Sequence, residues 1–111
     1  MWTDHEIHEY LTDIVKKYGI FQCQACANDM QRWLEKHNVS GNRIKISAYT
    51  SDFIVSERVG GHITITKNGI HYGIEVRGKV FDNLPNTGIS RQAWLNDFDC
   101  IDGFEIIETP F

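Results

Sequence analysis

Apolar positions recur along the chain with two different periods. Ile7, Tyr10, Leu11, Ile14, Val15 and Tyr18 follow one another at helical spacing, and Thr3-Asp4-His5-Glu6 just before them has the Thr-x-x-Glu form of a capping box. A first helix is predicted over residues 4–18, with Gly19 as a left-handed stop. In a second helix, opening near Gln22-Cys23, the residues Cys23, Cys26, Ala27, Met30, Trp33 and Leu34 share one face, while Asp29, Gln31, Arg32, Glu35 and Lys36 turn mostly outward.

After a turn at residues 38–42 the period changes to strict alternation, Ile44, Ile46 and Ala48 against Lys45, Ser47 and Tyr49, which predicts a strand. Phe53-Ile54-Val55 fits a short strand or a helical turn ended by Gly60-Gly61. His62-Ile63-Thr64-Ile65-Thr66 reads as a further strand, and Asn68-Gly69 as a hairpin into the strand Ile70-His71-Tyr72-Gly73-Ile74-Glu75-Val76. Arg77-Gly78 makes a second tight turn, from which Lys79-Val80-Phe81-Asp82 returns antiparallel. A loop at residues 84–88, a short helix capped by Ser90 and holding Trp94 and Leu95, and a final edge strand over residues 104–108 complete the chain. Helices followed by a meander of antiparallel strands predict an α+β domain, with helices packed on one sheet.

Composition narrows the class. The chain has 111 residues, one domain's worth, and a chain of that size buries roughly 60–70% of its unfolded surface. Apolar residues at 41% and charged residues at 23% are ordinary for a soluble protein. The net charge is −4 and eleven basic residues are scattered, which argues against a nucleic-acid partner. No apolar run approaches the roughly 20 residues of a membrane span, and the N-terminus lacks the regions of a signal peptide. The cytoplasm is the expected location, with delivery into another cell left open. Three cysteines in a chain without a signal favour catalysis or metal binding over a disulfide framework.

Candidate chemistry centres on Cys23 and Cys26. Thiols in the first turn of a helix meet unpaired N–H groups and the positive end of the helix dipole, which lowers their pKa toward reactive thiolate. A thiol nucleophile needs a base, and the base an orienting group. On its strand His71 shares a face with Gly73 and Glu75, and the Arg77-Gly78 turn brings Asp82 onto the partner strand, so Asp82 is expected to accept from the imidazole and fix its tautomer. Asn83 faces the other way if the strand continues. Attack on an amide carbonyl would create an oxyanion for the cysteine's own N–H and a side chain such as Gln22 or Gln24. No cofactor motif is read.

The Cys-x-x-Cys-Ala helix start, Asn-Gly-Ile-His-Tyr-Gly-Ile-Glu-Val, Val-Phe-Asp-Asn-Leu and Gly-Ile-Ser-Arg-Gln-Ala-Trp-Leu together resemble the second type of papain-fold toxin domain of bacterial polymorphic toxins. The resemblance covers residues 21–98. It implies a minimal papain-like fold with a Cys-His-Asp/Asn triad, peptidase, glutamine deamidase or acyltransferase activity on a protein substrate, and a toxin effector with a cognate immunity protein. Overlay on the Cys-x-x-Cys-aromatic start of papain-type enzymes points to Cys26, although Ala27 replaces the aromatic. Minimal papain-like domains place the thiol in the very first turn, which favours Cys23.

Each feature has a plainer rival. Cys23 and Cys26 are small enough to be core residues. A redox Cys-x-x-Cys lacks its βαβ context. A zinc module would draw on Cys23, Cys26, His62, His71 and Cys100, but no second paired motif accompanies them. His5, His8 and Glu9 are expected in solvent, Cys100 as a buried cap, and Trp33 and Trp94 in the core. His62 is expected to be structural, and Glu75 to extend the polar side of a cleft or face water. A catalytically silent interaction module on the same fold is the alternative from another class.

Overall fold

The capping box at the start of the chain forms: Thr3 Oγ1 accepts from the Glu6 N–H at 3.1 Å and the Glu6 carboxylate accepts from the Thr3 N–H at 3.0 Å. Helix α1 (Asp4–Val15) follows, burying Ile7, Leu11, Ile14 and Val15. In the computed structural model, which describes residues 1–85 and 87–111, the other helices are α2 (Cys23–Lys36) and α3 (Arg91–Asn96). The strands are β1 (Asn42–Ala48), β2 (Val55–Ser56), β3 (Ile70–Val76), β4 (Lys79–Phe81), β5 (Phe98–Asp99) and β6 (Phe104–Pro110). Four of them form one antiparallel sheet in the order β4-β3-β1-β6, and β2 pairs with β5 apart from it. The architecture is mixed α+β, as expected, and agrees with a papain fold. No helix among the described residues is long and apolar enough to cross a membrane.

The sheet has a core on each face. Ile74, Val76 and Phe81 pack with α1 and α2 residues, and Ile44, Ile46 and Val80 pack with Ile54, Ile65, Leu84, Trp94 and Phe98. Arg77 (φ 49°) and Gly78 (φ 81°) both take positive φ, the geometry of a two-residue hairpin whose twist matches its strands. An ion pair of 2.6 Å from Arg77 to Asp4 ties that turn to α1.

Several local expectations are corrected. Helix α1 ends at Val15, and the chain continues through tighter bonds from Lys17 N–H to Ile14 O (3.1 Å) and Tyr18 N–H to Val15 O (3.1 Å). The left-handed residue before α2 is Phe21 (φ 73°), not Gly19. Residues 62–66 form no strand: Thr64 makes only an isolated antiparallel bridge to Val55, and Ile65 N–H donates to Ile54 O at 2.8 Å. Instead Thr64 Oγ1 donates to Thr66 O (2.7 Å), and Thr66 Oγ1 donates to Asp52 O (2.8 Å). Side chains thus take up carbonyls that a ladder would use. Asn68-Gly69 is consequently an entry turn to β3 and not a hairpin. Gly69 (φ 73°) is required there, since a Cβ would sit 2.3 Å from Ser51 O. The loop expected at residues 84–88 includes Asn86, which lies outside the described residues. Strand β6 occupies the sheet edge, as its sequence predicts.

Candidate active site

Pairing of Ile74 with Phe81, continued by one residue, sets Asp82 opposite Gly73 and diagonal to His71 on the same face. The side chains meet: His71 Nε2 lies 2.9 Å from Asp82 Oδ2, and both groups are buried. Gly73 makes the arrangement possible, because a Cβ there would lie 2.6 Å from the Trp94 indole. That indole fills the space and donates its Nε1–H to Asp82 Oδ2 at 2.9 Å. Trp94 is fully buried, in the core as expected.

Cys23 is the first residue of α2, where N–H groups have no intrahelical acceptor and no carboxylate stands in the first turn. Its thiol lies 3.7 Å from Ile70 O, directly before His71. The second ring nitrogen of His71, Nδ1, is buried and makes no hydrogen bond within the usual geometry, and the ring and the Cys23 thiol interact electrostatically. Burial by itself would raise the Cys23 thiol, but the imidazole and the backbone N–H groups of Tyr72 and Gln24 outweigh it and bring the thiol below its ordinary value. Burial would likewise lower His71, yet the Asp82 carboxylate and the Cys23 sulfur lift it to about 9. Burial would raise Asp82, and His71 and then Arg58 hold it well below the usual carboxylate range. All three shifts favour thiolate beside imidazolium.

Cys26 sits one turn deeper and is fully buried in the helix-side core. Burial above all, then Asp82, Asp29 and Cys23, push its thiol up to about 12, so it stays protonated. Asn83 does turn away from the ring: its Nδ2 donates to Gly19 O at 2.8 Å, pinning the connector that leads into α2. Gln22 caps α2 only with its backbone, and its Oε1 accepts from the Gly19 N–H at 2.7 Å. Gln24, by contrast, lines a cleft of about 300 Å³ at the thiol, together with Phe21, Thr66, Lys67, Asn68 and Tyr72.

The other sequence candidates lie elsewhere. Glu75 accepts from Arg91 (2.5 Å) and Asn42 (3.2 Å) and takes no part in the cleft. His5 pairs with Glu9 at 3.1 Å in solvent, whereas His8 is half-buried with Nε2 at 3.4 Å from Val76 O. Cys100 is half-buried rather than buried, its thiol 3.2 Å from Gly103 O. Trp33 is half-buried in a ring cluster with Trp2, Tyr10 and His37. His62 is exposed. Among the described residues no three His, Cys, Asp or Glu side chains are grouped to hold a metal ion, so the set Cys23, Cys26, His62, His71 and Cys100 does not assemble.

Sequence reasoning missed Arg58. Its guanidinium donates to both Asp82 oxygens, Nη1 to Oδ1 at 3.1 Å and Nη2 to Oδ2 at 2.7 Å. It comes from the 3-10 turn Glu57–Val59, in a stretch with no clear period, and nothing local to it signals a partner 24 residues away.

A helix that leads with cysteine, laid on an antiparallel sheet that supplies histidine and a carboxylate, describes a papain-like domain. The chain belongs to the family Papain fold toxin 2, whose model matches residues 6–99, and it is accordingly a toxin domain of papain-like fold. No curated protein and no solved structure matches it.

Proposed function

We propose that this domain is a thiol enzyme that attacks amide bonds of a protein substrate, with Cys23 as nucleophile, His71 as general base and acid, and Asp82 orienting the ring. The observation that carries the reading is the 2.9 Å contact of His71 Nε2 with Asp82, which leaves Nδ1 without a hydrogen-bond partner among the described residues, in a ring that interacts with the thiol at the open end of a 14-residue helix. Cys26 is a core residue in this reading.

The Cys23 thiolate adds to the amide carbon, and the carbonyl electrons move onto oxygen. The Cys23 N–H, with the side-chain amide of Gln24 or Gln22, stabilises that charge. His71 Nδ1 then donates its proton to the departing nitrogen, leaving a thioester on Cys23 and neutral imidazole. The leaving group is a peptide amine in a peptidase and ammonia in a glutamine deamidase. Water, deprotonated by His71, returns the free enzyme; an amine in its place completes acyl transfer. Family membership further supports a role as a bacterial toxin effector restrained by a cognate immunity protein.

Alkylation by iodoacetamide across pH tests the reading. Cys23 is expected to react at pH values well below those needed by an ordinary thiol, and His71→Gln to remove that advantage. Incubation with glutamine-containing proteins, read for released ammonia and new N-termini, then separates deamidase from peptidase. A Cys23 thiol with an ordinary titration, indifferent to His71→Gln, would instead favour the silent interaction module.

A further inference from the structure

Asp82 is almost fully buried, and an isolated carboxylate so placed would take up a proton or be driven from its position. Among the described residues, three donors converge on its Oδ2: His71 Nε2, Trp94 Nε1 and Arg58 Nη2. Of these three, Arg58 is the permanent cation, and its fork reaches both oxygens and fixes the plane of the carboxylate. The guanidinium is itself held. Its Nε donates to Asp97 Oδ2 at 2.8 Å, and its backbone N–H donates to Asp97 Oδ1 at 2.9 Å. Asp97 caps the end of α3 and also takes the Ser56 hydroxyl. The Phe98 ring lies 5.7 Å from the guanidinium carbon. Arg58 is thus clamped between two buried carboxylates, with its side chain 17% exposed.

We infer that Arg58, anchored by Asp97, is a positioning residue for the thiol site, keeping Asp82 ionised and in the plane in which it holds the His71 ring toward Cys23. The inference rests on the enzyme reading above. It also gives the segment between β1 and β3 a second role: besides walling the cleft with Thr66, Lys67 and Asn68, it reaches behind the sheet to the orienting carboxylate.

Loss of Arg58 acts on the thiol through Asp82. An Asp82 that protonates or rotates withdraws the support of the imidazolium, which disfavours thiolate. The other charged or titratable groups around the two residues are Lys67 across the cleft, Cys26 and Asp29 on α2, and Asp97 behind Arg58. None of them makes up for the missing fork.

The test is the pH dependence of Cys23 carbamidomethylation by iodoacetamide, read at that residue by fragment mass spectrometry, in wild type, Arg58→Met and Arg58→Lys. Arg58→Met is expected to move the thiolate limb up by about one pH unit. Arg58→Lys keeps the charge but cannot fork onto Asp82 while reaching Asp97, so its limb is expected between the two. Should Arg58→Met not fold, an upward shift in Arg58→Lys, with native tryptophan fluorescence, is the required result. A limb in folded variants that coincides with wild type would overturn the inference and leave the enzyme reading standing. An ordinary limb in wild type would remove both.

Discussion

Cys23 and His71 shift each other, and their opposite shifts have a consequence for stability. His71 is raised from 6.5 to about 9 in the folded protein, which alone gives stability that is full below pH 6.5 and is lost as pH rises toward 9. Cys23 is lowered from 9.0, which alone gives stability present above pH 9 and lost as pH falls through the folded value. Between pH 6.5 and 9, and above the depressed Cys23 titration, the folded pair holds one proton, on the ring, and the unfolded pair also holds one, on sulfur. The two slopes cancel, and this pair makes stability independent of pH there. Cys23→Ala removes the cancelling partner, while Asp82 still favours imidazolium. Urea unfolding of that variant is therefore expected to lose stability as pH rises toward 9, by up to about 1.4 kcal/mol per pH unit, in the window above the depressed Cys23 titration where wild type is flat. Equal slopes in the two proteins would mean that sulfur and ring do not share a proton.

At the scale of the element, α2 is organised to leave its N-terminus open. Its backbone cap lacks a side-chain partner, and its first turn carries no acid, in contrast to α1, which has a full capping box and Asp4 and Glu6. A helix chosen for stability alone would carry an acid there. Gln24→Glu adds one, and its two effects have opposite signs. The helix is expected to gain about 0.3–1 kcal/mol, read as a higher thermal midpoint, while the thiolate limb of Cys23 moves up by as much as about one pH unit. A variant that is more stable and also as reactive at low pH as wild type would show that the helix end does not act on the sulfur.

Much of this element structure was legible. Period 3.6 in α1 and α2, period 2 in β1 and β3, and the Arg77-Gly78 turn are local signals, and the turn alone fixes the register that joins His71 to Asp82. Residues 62–66 misled because alternating Ile and Thr look the same whether the hydroxyls face water or bond their own backbone. Phe21 in a left-handed conformation was not legible at all, since a bulky residue takes positive φ only where surrounding contacts impose it. The Arg58 fork was hidden for a related reason: it joins a turn to a strand end through space, and no spacing rule reaches across 24 residues.

For the whole molecule, net charge and local field disagree, and salt decides between them. The chain carries −4 overall, which repels anions at long range. Yet Lys67 is the one permanent charge among the described residues that line the cleft, its Nζ 4.7 Å from the centre of the Phe21 ring, and the open end of α2 adds a positive partial charge beside it. At the few ångströms separating a reagent in the cleft from Lys67, the local cation outweighs the scattered surface acids, whose fields salt screens over a Debye length of about 8–10 Å. Anionic iodoacetate is therefore expected to alkylate Cys23 faster, relative to neutral iodoacetamide, than it does a small free thiol. Added salt should shrink that preference, and Lys67→Met should lower it by about threefold or more. If salt instead raises the iodoacetate rate, the overall negative charge governs access. The cleft would then have no bias toward acidic groups beside the reacting amide.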